Sequence, residues 1–147
     1  SRAYRYRIYY RKDPFLRDGG YYFPYRVDDA ILDRTAAMVV AHRDFVSFSK
    51  RNTQVKTFRC EIRRAVWYRQ DDQLIFEVEA NRFLRGMVRG LVGTMLKTAR
   101  GSLPEEEFPQ ILSHPDNTRT DFSVPAQGLF LTAVRYPEDF PWGEPVL

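Results

Sequence analysis

Cysteine and histidine are close to absent from this chain. The single cysteine, Cys60, excludes an internal disulfide, and two histidines far apart in sequence give no zinc-ligand spacing. No apolar run approaches the roughly 20 residues of a membrane-spanning helix. No basic stretch followed by an apolar run of the signal-peptide kind opens the sequence. The nucleophile elbow G-x-S-x-G, the P-loop and paired-histidine motifs are missing as well. These absences predict a reducing, cytoplasmic setting, with no membrane and no structural metal.

Acidic residues are scarce in the front half. Residues 1–69 carry 16 Lys and Arg against 7 Asp and Glu, whereas residues 102–147 carry 2 against 8. A polyanion would dock on the front half. Nineteen of the 23 basic residues are Arg, whose planar fork suits phosphates and whose flat face stacks on bases. A merely solvated basic surface would show the same counts. The remaining composition is that of a globular protein: 147 residues, 44% apolar, 29% charged and a high 15% aromatic, enough for one domain with a real core. The chain opens at Ser1 directly on a strand-like alternation, so we expect a piece of a longer protein.

Tyr4, Tyr6, Ile8 and Tyr10 alternate with Arg5, Arg7, Tyr9 and Arg11, a strand with one aromatic and one largely basic face. Asp13-Pro14 and Gly19-Gly20 mark loops. Asp28 and Asp29 open a helix running to about Ala41. Thr57 to Tyr68 reads as a strand with Phe58, Cys60, Ile62 and, after a slip in phase, Val66 and Tyr68 on one face. Asp71-Asp72 turns it into a partner, Leu74 to Ala80. Leu84, Met87, Val88, Leu91, Val92, Met95 and Leu96 follow at helical spacing, and Gly101 ends that helix. Pro104 and Glu105–Glu107 open a shorter one. Leu129 to Val134 is a last strand whose continuous apolarity predicts that both faces are covered. The fold class is therefore α+β, a ferredoxin-like β-α-β-β-α-(α)-β arrangement: an antiparallel sheet with helices on one face. Residues 1–136 form the domain and 137–147 an irregular tail.

Three stretches carry chemistry. In Asn81-Arg82-Phe83-Leu84-Arg85-Gly86-Met87-Val88-Arg89, Arg85 and Arg89 stand four apart near a helix start. There they repel each other and meet the wrong end of the dipole. Either an outside anion offsets both penalties, or the two side chains snorkel from an open face. Gly86, Gly90 and Gly93 weaken this helix and would let a backbone or a ligand approach. The Tyr/Arg strand suits base stacking and phosphate contact, or simply core packing. Lys50-Arg51-Asn52-Thr53-Gln54-Val55-Lys56 is a basic loop that binds an anion or is only solvated.

These residues resemble the C-terminal domain of the TruA-type tRNA pseudouridine synthases along most of the chain. Arg2-Ala3-Tyr4-Arg5-Tyr6 is similar to that family's R-x-Y-x-Y strand, and Asp44-Phe45-Val46-Ser47-Phe48 to its D-F-x-S-F segment. Asn81-x-Phe83-Leu84-Arg85-x-Met87-Val88-Arg89 with Val92-Gly93-Thr94 is similar to its most specific motif, and Pro125-Ala126-Gln127-Gly128-Leu129 to its last. The resemblance implies one half of a two-domain catalyst that isomerises uridine in the tRNA anticodon stem-loop without metal or cofactor, generally as a homodimer. It implies that Tyr4 lies against the uracil and that Arg89 pairs with the catalytic aspartate. Leu129 would wall the base pocket. Phe83, Arg5, Lys50, Arg51, Arg82 and Arg85 are looser candidates for substrate contact. The family's nucleophile lies in a G-R-T-D-A-G motif of a preceding domain, which this sequence lacks. Arg119-Thr120-Asp121 shares three of those letters, but Thr118 stands for the first Gly and Phe122-Ser123 for Ala-Gly, in the wrong domain. Asp121 is not expected to be the nucleophile. A non-catalytic ferredoxin-like RNA-binding module is the alternative, and a surface for domain or subunit contact a third reading.

Overall fold

The computed structural model describes residues 1–12, 14, 19–50 and 56–135. Its strands are β1 (Arg2–Tyr9), β2 (Tyr21–Tyr22), β3 (Ile62–Gln70), β4 (Gln73–Ala80) and β5 (Leu129–Val134). Its helices are α1 (Asp29–Ala41), α2 (Met87–Arg100) and α3 (Phe108–Leu112). The strands form one mixed five-stranded sheet, and the domain is α+β. β1 is central. β4 pairs with its whole length antiparallel, and β3 continues the hairpin outward. On the other edge β5 covers residues 2–6 antiparallel, while β2 takes Ile8 and Tyr9 in parallel. The short parallel strand corrects the all-antiparallel expectation. β5 leaves the end of β1 unpaired, and the chain after Gly20 fills the vacancy, with Phe23 N–H donating to the Tyr9 carbonyl at 2.9 Å.

Period two sends Tyr6 and Ile8 inward, where they join Phe76, Val78 and Trp67 of the hairpin and Leu91 and Met95 of α2 in one core. Trp67 Nε1 donates to the Met95 sulfur at 3.4 Å, pinning α2 to that face of the sheet. Asp28 caps α1, its carboxylate accepting from the Ala30 and Ile31 amides. Gly101 closes α2 at φ 94°, in the left-handed region. No helix among the described residues is long and apolar enough to cross a membrane.

Three expectations need correction. α2 begins at Met87, three residues after Leu84, because Gly86 at φ 74° interrupts the backbone there. In the hairpin, a bulge between Ile62 and Arg64 turns Ala65 and Trp67 to the core instead of Val66 and Tyr68. This bulge is the phase slip seen in the sequence. Cys60 accordingly precedes β3 rather than lying within a strand, although it is fully buried. The third correction is β5. Neither face is fully covered: Leu131 is 54% exposed on one and Phe130 37% on the other. Continuous apolarity did not mean burial on both faces here. The tail 137–147 lies outside the described residues.

Candidate functional site

A cleft of about 540 Å³ opens where the start of β1, the approach to α2 and the 126–129 turn meet. Tyr4, Phe83, Arg85, Arg89 and Leu129 all line it, from segments that are remote in sequence. Tyr4 is on the inward face of β1 but sits at the strand's open end, so its ring is only half-buried. Phe83 meets it edge-on at 5.1 Å between centroids and 85° between planes. This pair, with Leu84, Met87 and Leu129, makes an apolar, partly aromatic surface of the kind that holds a flat ring. Arg2, Leu84, Gly86, Met87, Val88 and Ala126 also reach the cleft. Sequence reasoning missed them as site residues because most read as ordinary core or turn positions.

Arg89 projects from the first turn of α2, where its charge opposes the helix dipole. Its Nε donates to the Val124 carbonyl at 2.8 Å, which spends one N–H and fixes the direction of the guanidinium. Among the described residues no carboxylate pairs with Arg89. The described lining of the cleft has three arginines and no acid. The arrangement can therefore seat a planar ring and receive an anion, but it supplies no carboxylate nucleophile of its own.

The turn carrying Leu129 is held from both sides. Tyr6, fully buried, donates its hydroxyl to the Pro125 carbonyl at 2.6 Å, next to the Val124 carbonyl used by Arg89. Burial pushes the Tyr6 phenol well above its usual range, so it stays a donor. Further back, the 120–122 loop lies directly on α2. A methyl group at Gly93 would come within 2.3 Å of the Asp121 carbonyl, and one at Gly90 within 2.9 Å of the Phe122 ring. Gly93 thus admits a backbone, and Gly90 the side chains of Phe122 and Thr120. Asp121 itself is a loop staple: its carboxylate accepts from the Ser123 amide and hydroxyl, and its own amide donates to Thr94 Oγ1. It does not line the cleft.

The looser candidates divide. Lys50 stands at the rim, its stem against Gly86 and its amide donating to the Arg85 carbonyl at 2.9 Å. Arg82 turns away and donates to the Thr57 carbonyl at 2.8 Å, tying down a loop. Arg5 lies on the opposite face of β1 from Tyr4, bonded to Glu77 at 2.7 Å. Arg51 is outside the described residues.

A family model described as tRNA pseudouridine synthase matches residues 36–137. The chain is 40% identical over 139 residues to a tRNA pseudouridine synthase A of Parabacteroides distasonis, covering 95% of this chain and 55% of that protein. A Porphyromonas gingivalis protein of the same name is also 40% identical, with 95% and 56% covered, and one from Bacteroides fragilis is 37% identical with the same coverage. The chain thus spans about half the length of the curated relatives it matches.

Proposed function

The chain belongs to the tRNA pseudouridine synthase family, and from that premise we propose that it is the C-terminal half of an enzyme isomerising uridine to pseudouridine in the tRNA anticodon stem-loop. The observation that carries this reading is the cleft itself: an aromatic pair, an apolar wall and an oriented arginine, with no acid among the lining residues. The sheet order β5-β1-β4-β3 supports a ferredoxin-like domain with β2 added at its edge. The nucleophilic aspartate comes from the other half of the protein, and the full-length enzyme is a cytoplasmic homodimer.

In this reading the target uridine leaves its stack and lies against Tyr4, with Leu129 as the pocket wall. Extrusion costs a few kcal/mol, and an aromatic platform returns about 1–3 kcal/mol of it. Arg89 holds the incoming aspartate ionised, since an adjacent guanidinium lowers a carboxyl pKa by roughly 1–3 units. The aspartate attacks the nucleotide and the bond from C1′ to N1 breaks. The uracil turns, and C5 bonds to C1′ as the aspartate carboxylate is released. C5 gives up its hydrogen and N1 gains a proton, so uridine and pseudouridine are isomers. Lys50 and Arg85 at the rim would meet the RNA backbone.

The test is release of tritium from 5-tritiated uridine in tRNA. Full-length protein turns over. The Arg89→Ala variant loses roughly 100-fold or more while keeping its fold, by analogy with removal of a preorganised charge-stabilising donor. The 147-residue chain alone releases nothing. Normal turnover in full-length Arg89→Ala, or turnover by the isolated chain that survives Asp121→Ala, would overturn the reading.

A further inference from the structure

The cleft sits at the first turn of α2. At the far end of this 14-residue helix, roughly 20 Å away, is a second surface that the proposed chemistry does not use. Tyr21, Phe23 and Tyr25 succeed one another there, with ring centroids 5.7 and 5.0 Å apart. Tyr25 ends the series 47% exposed. The Arg100 guanidinium lies over its ring at 3.3 Å from the centroid. The ridge separates two hollows. Arg11 and Arg26 line the one of about 500 Å³, Lys97 and Arg100 the one of about 290 Å³. All four cations are exposed, and among the described residues none of them forms an ion pair. The neighbouring acids are already engaged: Asp28 caps α1, Asp29 is bonded to Arg69 at 2.8 Å, and Asp121 holds Ser123.

Lys97 and Arg100 in the last turn suit the helix dipole, which accounts for their sign. It does not account for an arginine laid flat on an exposed tyrosine. Stacking fixes the guanidinium plane and leaves its edge N–H groups outward, the geometry that takes a phosphate. We propose that the Tyr25–Arg100 ridge, with Arg26 and Lys97, is a second RNA-contact surface that grips the tRNA phosphate backbone about one helix length from the cleft. This rests on the tRNA reading above and extends it. Preorganisation matters because a free arginine would lose side-chain entropy on binding that the stacked one has already lost.

The experiment is equilibrium binding of full-length protein to an unmodified tRNA transcript across a potassium chloride series, with KM measured in parallel. Arg100→Gln removes one phosphate contact. It is expected to lower the magnitude of the log–log salt slope by about 0.9 and to weaken binding roughly 5- to 10-fold near 0.1 M salt, with KM rising to match. Tyr25→Leu leaves the charge but removes the platform, so affinity falls several-fold with little change in slope, whereas Tyr25→Phe binds as wild type. Melting curves confirm that each variant is folded. Unchanged affinity and slope in both Arg100→Gln and Tyr25→Leu would overturn the proposal. So would unchanged RNA binding with an altered oligomeric state, which would make the ridge a protein interface. If the wild-type enzyme forms no pseudouridine, the functional reading fails by the tritium readout, whereas the binding data decide the ridge.

Discussion

Gly93 concentrates a conflict that the sequence already shows. A glycine in mid-helix gives up about 1 kcal/mol against alanine, so on propensity alone Gly93→Ala should stabilise α2. The added methyl would lie 2.3 Å from the Asp121 carbonyl oxygen, and that oxygen belongs to backbone, which cannot swing aside. Contact outweighs propensity, and we expect Gly93→Ala to destabilise by about 1–3 kcal/mol, read as a lower denaturant midpoint. A stabilised variant would mean that the 120–122 loop is not seated on α2. Cys60 gives a second residue-scale expectation. It is fully buried beside the Met87 sulfur, and burial raises its thiol above the ordinary range. A thiol reagent should label it only as fast as the chain opens, and labelling should accelerate in denaturant.

Among the elements, β1 shows how far pattern reading reaches. Its alternation made both faces legible, and the inward residues Tyr6 and Ile8 are core as the period requires. What alternation could not show is how the outward face is used, because that depends on partners brought in by β3 and β4. Arg5, expected from the sequence to meet RNA, is part of a cluster in which Glu77 accepts from Arg5 and Tyr68, with Arg64 nearby. Likewise the phase slip in β3 was visible, but its direction was set by the pairing of Ala65 with Val78. The cleft residues Tyr4, Phe83, Arg85, Arg89 and Leu129 were legible through the family resemblance. The Val124 and Pro125 carbonyls that orient Arg89 and Tyr6 were not, since a backbone acceptor leaves no mark in side-chain identity. The Glu77 cluster has a pH signature. Burial works to raise the Glu77 carboxyl, but the hydrogen bonds from Tyr68 and Arg5 outweigh it and hold the group below the usual carboxylate range. A lowered folded-state value means the contribution is complete above the unfolded value near 4.5 and is lost as pH falls through the folded one. Glu77→Gln should therefore be less stable than wild type at pH 7 by roughly 1–3 kcal/mol, with the gap shrinking in acid. A pH-independent gap would remove the carboxylate from the account.

At the scale of the whole molecule, β5 poses the question that composition answered wrongly. Six residues, Leu-Phe-Leu-Thr-Ala-Val, read like a strand covered on both faces, as such a run usually is. Here the strand pairs with β1 along one edge, and no described strand pairs with the other. On one face of the strand the Arg7 guanidinium lies over the Phe130 ring at 5.1 Å, and on the other Leu131, opposite Tyr4, stands more than half exposed. An apolar strand with an open edge is a template for pairing with another chain, and natural sheets usually blunt it with charge. Arg135 follows the strand and Arg7 lies over the Phe130 ring, but no charged residue interrupts the apolar run itself. The net charge of +4 gives weak long-range repulsion, screened within about 8–10 Å at ordinary salt. Contact between strands then outweighs repulsion between molecules. The 147-residue chain by itself is expected to self-associate, with a sedimentation coefficient that rises with concentration and with added salt. Leu131→Lys places a cation at the exposed position and should keep the chain monomeric over the same range. Its melting temperature should stay close to that of wild type, because the replaced side chain contributes little burial. If Leu131→Lys associates as wild type does, the open strand is not the adhesive surface. If it unfolds the chain, Leu131 is more deeply packed than its exposure indicates.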